Sequence, residues 1–349
     1  MRILAAMSGG VDSSVAALLL REAGHEVVGA TLCLGRAGAD GRRVCCGPDA
    51  IADARAVCDL LGIAHHVFDY ERRMREQVIA PFAEGYRAGR TPNPCVACNR
   101  LLKFGALLQQ ALALGFDALA TGHYAGVGER GGRPVLLRAR DRRKDQSYFL
   151  SGVDPEALGR VRFPLAALTK DEVRGLARRA GLRVAAKAES QDLCFAAERG
   201  RGGFLEGEAE SPPGPVVDEG GRELGRHRGL VRYTVGQRSG LGISGAAPLY
   251  VLVKDAAANR LVVGGRERLR VAELTALEPT VYVEPLPPLL TARIRHRGRE
   301  ARCKATVAGG RLRVRFLEAV EAAAPGQAIA LYDGEVVAAG GTIDAVVAA

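Results

Sequence analysis

The chain has 349 residues, 48% of them hydrophobic and 25% charged, enough to bury more than one core over two or three domains. Its formal net charge of +10 favours a polyanionic partner, and no apolar run approaches the roughly 20 residues that a membrane-spanning helix needs. The eight cysteines are unevenly spaced in a chain long enough to fold without staples, which argues against a disulfide framework and for reduced thiols with catalytic or metal roles.

Strand-like and helical patterns alternate through the first third, the signature of a parallel sheet flanked by helices. Residues 3–7 read as a first strand that reaches a Gly/Ser loop too soon for a signal peptide, so a cytoplasmic protein without a membrane partner is expected. A helix over 13–23, a strand over 26–32, a helix capped by Asp49 and a strand over 66–68 follow. A proline-bounded loop over 91–99, a helix over 101–114 and a strand over 117–121 complete this part. The catalytic domain is expected over 1–205, a small central domain over 206–272 and a β-barrel-like domain over 273–349. Ser211-Pro212-Pro213-Gly214-Pro215 and Pro285-Leu286-Pro287-Pro288 punctuate the change to short Val-rich runs.

Between the first strand and helix lies Ser8-Gly9-Gly10-Val11-Asp12-Ser13-Ser14, where backbone N–H groups and a helix end can hold phosphate. Gly9 and Gly10 allow close approach, and Ser13 and Ser14 add hydroxyls. A bare strand-to-helix turn capped by Asp12 or Ser13 needs far less than this whole string. No Lys precedes the Ser pair as in a Walker A loop, so β/γ cleavage is not indicated. The string resembles the PP-loop of the N-type ATP pyrophosphatases, which implies cleavage between the α and β phosphates, with Mg²⁺ as counterion.

Thr91-Pro92-Asn93-Pro94-Cys95-Val96-Ala97-Cys98-Asn99 presents two thiols, and Glu189-Ser190-Gln191-Asp192-Leu193-Cys194-Phe195 a third in a polar setting. Alone, Cys-x-x-Cys reads as half a zinc site or a redox pair, which the adjacent Cys45 and Cys46 complete only awkwardly. Cys33, Cys58 and Cys303 read as core. Two basic clusters, Arg138 to Lys144 and Arg293 to Lys304, the latter opposed only by Glu300, read as a phosphate-tracking surface.

Together with Ala120-Thr121-Gly122-His123-Tyr124-Ala125, Lys144-Asp145-Gln146-Ser147-Tyr148-Phe149-Leu150, Gly225-Arg226-His227-Arg228-Gly229, Tyr233-Thr234-Val235-Gly236-Gln237-Arg238, Pro248-Leu249-Tyr250-Val251 and Pro325-Gly326-Gln327, these strings resemble the tRNA-specific 2-thiouridylase family across nearly the whole chain. The resemblance implies an α/β fold, with a PP-loop catalytic domain of the adenine nucleotide alpha hydrolase type, a small central domain and a C-terminal β-barrel. It implies adenylation of the 2-oxygen of wobble uridine 34 by ATP, then sulfur transfer, on tRNAs for Lys, Glu and Gln, with a cysteine desulfurase or sulfur-relay protein as donor. Ala6, Met7, Ser8, Gly9, Gly10, Val11, Asp12, Ser13, Leu32 and Gly122 would bind ATP, and Asn93, Pro94 and Cys95 would approach the target base. His123, Lys144, Asp145, Gln146, Arg295, His296, Arg297 and Gln327 would contact tRNA. Cys194 would carry a persulfide, and Cys98 would attack it or close a disulfide. Some family members have Asp where this chain has Cys95, so no acid/base role carries over there.

Two other readings are open at this stage. A different PP-loop tRNA chemistry that delivers nitrogen needs no cysteine pair, and a zinc-stabilised RNA-binding module needs no pyrophosphate cradle. A third reading keeps the product and changes the mechanism: Cys95, Cys98 and Cys194 hold three irons of a [4Fe-4S] cluster.

Overall fold

The computed structural model describes residues 1–35, 48–188, 193–195, 203–205, 207, 211–243 and 247–349. Cys45, Cys46 and the stretch 189–192 lie outside the described residues, so the expectations placed on them have no structural counterpart.

Five parallel strands form the first sheet: β1 (Arg2–Ala6), β2 (Glu26–Cys33), β3 (His65–Asp69), β4 (Ala118–Ala120) and, further on, β7 (Val161–Arg162). Their order is β3-β2-β1-β4-β7. The direction of winding reverses between β1 and β4, and in such a sheet a crevice opens at the carboxyl ends of the two strands flanking the switch. Helix α1 (Val11–Glu22) covers this sheet with Val11, Val15, Ala16 and Leu18, beside α2 (Pro48–Leu61). Asp49 is not the cap of α2 but lies in its first turn, where an acid complements the helix dipole.

The sequence reading missed β7, which is only two residues long, and the helical stretch from Glu71–Met74 through Arg75–Ile79 to Ala80–Arg87, whose middle part has the wide turns of a π-helix. It also began the next helix too late. Asn93 caps a helical turn at Pro94–Ala97, continued by π-type turns over Cys98–Leu107 and by Leu108–Ala113. Pro94 sits where a missing N–H costs nothing, so Cys95 and Cys98 are helical residues and only the segment before them is loop.

A hairpin, β5 (Gly126–Arg130) and β6 (Arg133–Leu137), turns at Gly131 and Gly132, both at positive φ. The second sheet comprises β8 (Gly214–Val217), β9 (Glu223–His227), β10 (Tyr250–Asp255) and β11 (Arg260–Gly264), in the order β10-β11-β8-β9. A small core of Val216, Leu230, Tyr233, Val251, Leu261 and Val263 belongs to it.

The third sheet runs from β12 (Arg270–Val281) through β15 (Arg311–Glu321), β14 (Ala301–Ala308), β13 (Leu290–Arg293) and β16 (Ala328–Asp333) to β17 (Val336–Ala348). Pairing of β12 with β17 closes it into a barrel, and closure removes the exposed edges. The hairpin β5–β6 belongs to the first part of the chain by position, yet it joins this sheet where Val336 meets Leu137. Among the described residues no helix is long and apolar enough to cross a membrane.

Candidate functional site

The Ser8 to Ser14 string occupies the crevice between β1 and β4. Gly10 is the residue before α1 and offers no side-chain cap, so neither Asp12 nor Ser13 serves as one. Gly9 has φ +68°, and a side chain there would run into the Ala50 carbonyl. From the β4 side, Gly122 packs so closely on α1 that an added Cβ would lie 2.6 Å from the Ser13 nitrogen. Ser13 Oγ accepts from Ser8 N at 3.1 Å and donates to Gly10 O at 3.1 Å, while Ser14 Oγ donates to Gly10 O at 2.9 Å. The hydroxyls thus shape the loop itself, leaving the first-turn backbone N–H groups as its natural phosphate donors. Thr31 Oγ1 donates to Met7 O at 2.9 Å, fixing the strand end beside Ala6 and the buried Leu32.

Asp12 points away from any cap. Its carboxylate accepts from Lys170 Nζ at 2.6 and 2.7 Å and from the Tyr124 hydroxyl at 2.8 Å. Lys187 Nζ donates to Gly9 O at 2.9 Å and to Asp53 at 2.7 Å, and Arg183 also reaches Asp53. The hydrogen bond from Lys187, followed by that from Arg183, holds the Asp53 carboxyl below its ordinary range despite burial. Lys170, Lys187 and Asp53 were not legible as site residues: Lys170 sits in an ordinary capping box formed by Thr169 and Glu172, and nothing local marks the others.

The cysteine constellation lies on the other side of Tyr124 and His123. Cys98 is buried, Cys95 half-buried and Cys194 exposed. Burial pushes the Cys95 thiol up to about 12, with Cys194 and Cys98 adding to the rise and Lys103 opposing it, so both other thiols and one ammonium lie within electrostatic reach. Asn93 Oδ1 accepts from the backbone N–H of Cys95 and Val96 at 3.2 and 3.4 Å. Phe195 anchors the neighbourhood of Cys194 against Phe82 and Phe204, with ring centroids 5.6 and 4.9 Å apart. Among the described residues no group of three or more His, Cys, Asp or Glu side chains is gathered as metal ligands. Cys58 and Cys303 are core, as expected, but Cys33 is half-buried at the end of β2.

The expected tRNA residues divide. His123 Nδ1 is 2.7 Å from Thr121 Oγ1 and its Nε2 3.5 Å from Lys103 Nζ, amid the rings of Phe104 and Phe163. Burial, then Lys103, holds its pKa well below the usual imidazole range. Since Lys103 can only donate, Nε2 accepts and Nδ1–H donates to Thr121. Asp145 turns inward: its carboxylate accepts from Ala139 N, Ser147 and Arg293 and is fully buried. Gln146 exchanges bonds with the Tyr124 backbone at 2.8 and 2.9 Å, tying this turn to the residue that holds Asp12. His296 stacks on Phe149 at 4.4 Å, and Gln327 Nε2 donates to Thr91 O at 2.8 Å. Lys144 is half-buried, while Arg295, Arg297 and Arg299 are exposed.

Part of the basic surface read from the sequence is paired within the chain, buried at Arg138 and Arg293 and exposed at Arg140 and Arg142. Arg138 donates to both Glu300 oxygens at 2.6 and 2.8 Å, Arg293 to Glu300 at 2.6 Å, and Arg138 stacks 3.5 Å over the Tyr332 ring. Arg140 pairs with Glu172, and Arg142 with Glu335.

The chain matches three family models: a tRNA methyl transferase HUP domain over 1–198, a tRNA methyl transferase PRC-barrel domain over 202–265 and an aminomethyltransferase beta-barrel domain over 271–343. A tRNA-specific 2-thiouridylase of Syntrophus aciditrophicus is 50% identical over 345 residues, covering 98% of this chain and 92% of its own. This chain belongs to the tRNA-specific 2-thiouridylase family. Other 2-thiouridylases, from Syntrophotalea carbinolica and Streptomyces coelicolor, are 47% and 46% identical, each covering 98% of this chain and respectively 98% and 94% of their own. A solved 4-thiouridine synthetase–RNA complex with bound ATP aligns with this 2-thiouridylase family member at 15% identity and a TM-score of 0.37, over 57% of this chain and 46% of that one, too distant to bear on function.

Proposed function

We propose that this chain is an ATP-dependent tRNA sulfurtransferase that makes 2-thiouridine at wobble position 34. The observation that carries this reading is a phosphate-shaped loop at the switch between β1 and β4 whose Asp12 is held by Tyr124, next to His123 and its neighbour Lys103, with Cys95 within electrostatic reach of Lys103, Cys98 and Cys194.

The uridine 2-oxygen attacks the α-phosphorus of ATP, the bond to the bridging oxygen breaks, and pyrophosphate leaves. Gly9, Gly10 and the first turn of α1 cradle the phosphates, and Lys170 and Lys187 supply positive charge beside them. Asp12 is committed to Lys170 and Tyr124, so it is not free to take a metal ion, and Mg²⁺ brought by the triphosphate would supply further charge neutralisation beside the two lysines. The terminal sulfur of a Cys194 persulfide then attacks C2, and the C2–O bond breaks as AMP departs. The Cys98 thiolate attacks the Cys194 sulfur, which releases the thiocarbonyl and leaves a Cys98–Cys194 disulfide for a thiol reductant to reopen. Exposure of Cys194 suits reloading by a cysteine desulfurase or relay protein, and burial of Cys98 keeps water from the second attack. Expected substrates are the tRNAs for Lys, Glu and Gln.

Turnover with tRNA should yield AMP and pyrophosphate, followed by nucleoside mass spectrometry showing 2-thiouridine. ADP as the nucleotide product, or tRNA that gains no 2-thiouridine in the assay while the deletion strain retains it, would remove the reading.

A further inference from the structure

The loop that leads into Cys95 is built into the barrel. Thr91 is buried, and both of its backbone groups are held by one strap: its N–H donates to Pro325 O at 2.8 Å, and its C=O accepts from Gln327 Nε2 at 2.8 Å. The strap is itself fixed to β17, because Gly326 N donates to Ile343 O at 2.7 Å and Ile343 N to Gln327 O at 2.7 Å. Arg90, one residue before Thr91, reaches the Ile343 carbonyl and Asp344 at 3.1 and 3.2 Å. Between the two chain segments Gly326 has φ +92°, and a Cβ there would lie 3.0 Å from Thr91 N, Thr91 C and Pro92 N. From Thr91 onward the path to the thiols is short and stiff: Pro92, the cap Asn93, Pro94, then Cys95 in the first helical turn.

We propose that Gln327 is a positioning residue for the cysteine chemistry: its amide, with Gly326 beside it, sets where the Asn93–Cys98 turn stands. The barrel therefore belongs to the sulfur-transfer machinery as well as to the grip on tRNA. The Pro325 bond fixes the peptide group before Thr91, and the Gln327 bond fixes the one after it, which leads into Pro92. Arg90 is held from behind, its N–H donating to Gly85 O at 2.8 Å and its C=O accepting from Lys254 Nζ at 2.7 Å, so a tilt of the Thr91 carbonyl is passed forward through Pro92 and Asn93 towards Cys95 and Cys98. The proposal rests on Cys98 acting in the reaction.

Full-length protein, ATP, tRNA transcript and a cysteine desulfurase with free cysteine as the persulfide source, under single-turnover conditions, separate positioning from tRNA contact. Gln327→Met keeps the length and loses the donor. It should slow thiolation at saturating tRNA about tenfold, a fraction of what a misplacement of about 1 Å costs, with tRNA Kd changed less than about twofold. Gly326→Ala, which pushes the same loop by a different route, should give the same pattern of lost rate at retained affinity. A loss confined to tRNA affinity, or unchanged kinetics in both variants, overturns the role. Cys98→Ser is run beside them: full thiolation there overturns the cysteine mechanism and the positioning role with it, whereas an inactive Cys98→Ser beside a fully active Gln327→Met overturns the positioning role alone.

Discussion

Lys170 lies 148 residues beyond the end of α1 and has a side chain only 9% exposed, and its ammonium donates to both carboxylate oxygens of Asp12 in the nucleotide loop, within that helix's first turn. Such a pair is costly to break on one side and cheap to replace on both. Asp12→Ala leaves a buried ammonium without its carboxylate and should destabilise the protein by about 3 kcal/mol, the low end for such a loss because Asp12 is itself 32% exposed. Lys170→Met keeps the stem and leaves Asp12 with Tyr124, so it should melt closer to wild type while raising the KM for ATP about tenfold and slowing pyrophosphate release. Combining Asp12→Asn with Lys170→Met should restore the melting temperature and leave adenylation impaired. Recovery of both in the double variant would show that the pair serves stability alone.

At the level of elements, Cys194 lies in a turn whose next residue is anchored in the core. Phe195 is 6% exposed and makes edge-on contacts with Phe82 and Phe204. Phe195→Ala should cost about 3 kcal/mol if the pocket stays open, and less if the chain collapses into it. Either way, the turn that carries the thiol loses an aromatic anchor, so sulfur transfer should fall more than tRNA-dependent pyrophosphate release does. Equal losses in the two assays would place the residue in general stability. What the sequence made legible at this scale follows from local pattern. The strands β1, β2 and β4 and the helix α1 carry apolar periodicities that survive folding, and the Ser8 to Ser14 string is contiguous. The hairpin β5–β6 has an evident Gly-Gly turn but no local sign that its partner is Val336, and Pro94 was read as a loop breaker where it opens a helix. Lys170, Gln327 and Glu300 acquire their roles from partners 158, 236 and 162 residues away, a separation that no window of sequence spans.

Over the whole molecule, charge has two uses that a count of +10 does not separate. Arg295 is exposed beyond β13, so Arg295→Ala should flatten the dependence of log tRNA affinity on log salt by about one unit if it neutralises a phosphate. Arg138 and Arg293, with side chains 6% and 13% exposed, are spent on Glu300 and should leave that slope unaltered when replaced. Equal slopes for all three variants and wild type would make Arg295 a solvated surface residue. The Glu300 node joins β6, β13 and the Asp145 turn, and so ties the barrel to the segment that carries Tyr124 and Gln146. Burial alone would raise the Glu300 pKa, but hydrogen bonds from Arg138 and Arg293, with their charges, hold it down to about 2. An unfolded glutamate titrates near about 4.3, so the folded state gains from the ionised form above that pH and loses the gain as pH falls through about 2. Glu300→Gln leaves two buried guanidinium groups without their shared carboxylate and should cost about 3 kcal/mol at neutral pH. Thermal melts of wild type and Glu300→Gln should therefore differ most above about pH 5 and converge as wild-type Glu300 protonates on the way to about pH 2. A gap that stays constant over that range would mean that shape and hydrogen bonding at the node, rather than the ionised carboxylate, hold the barrel in place.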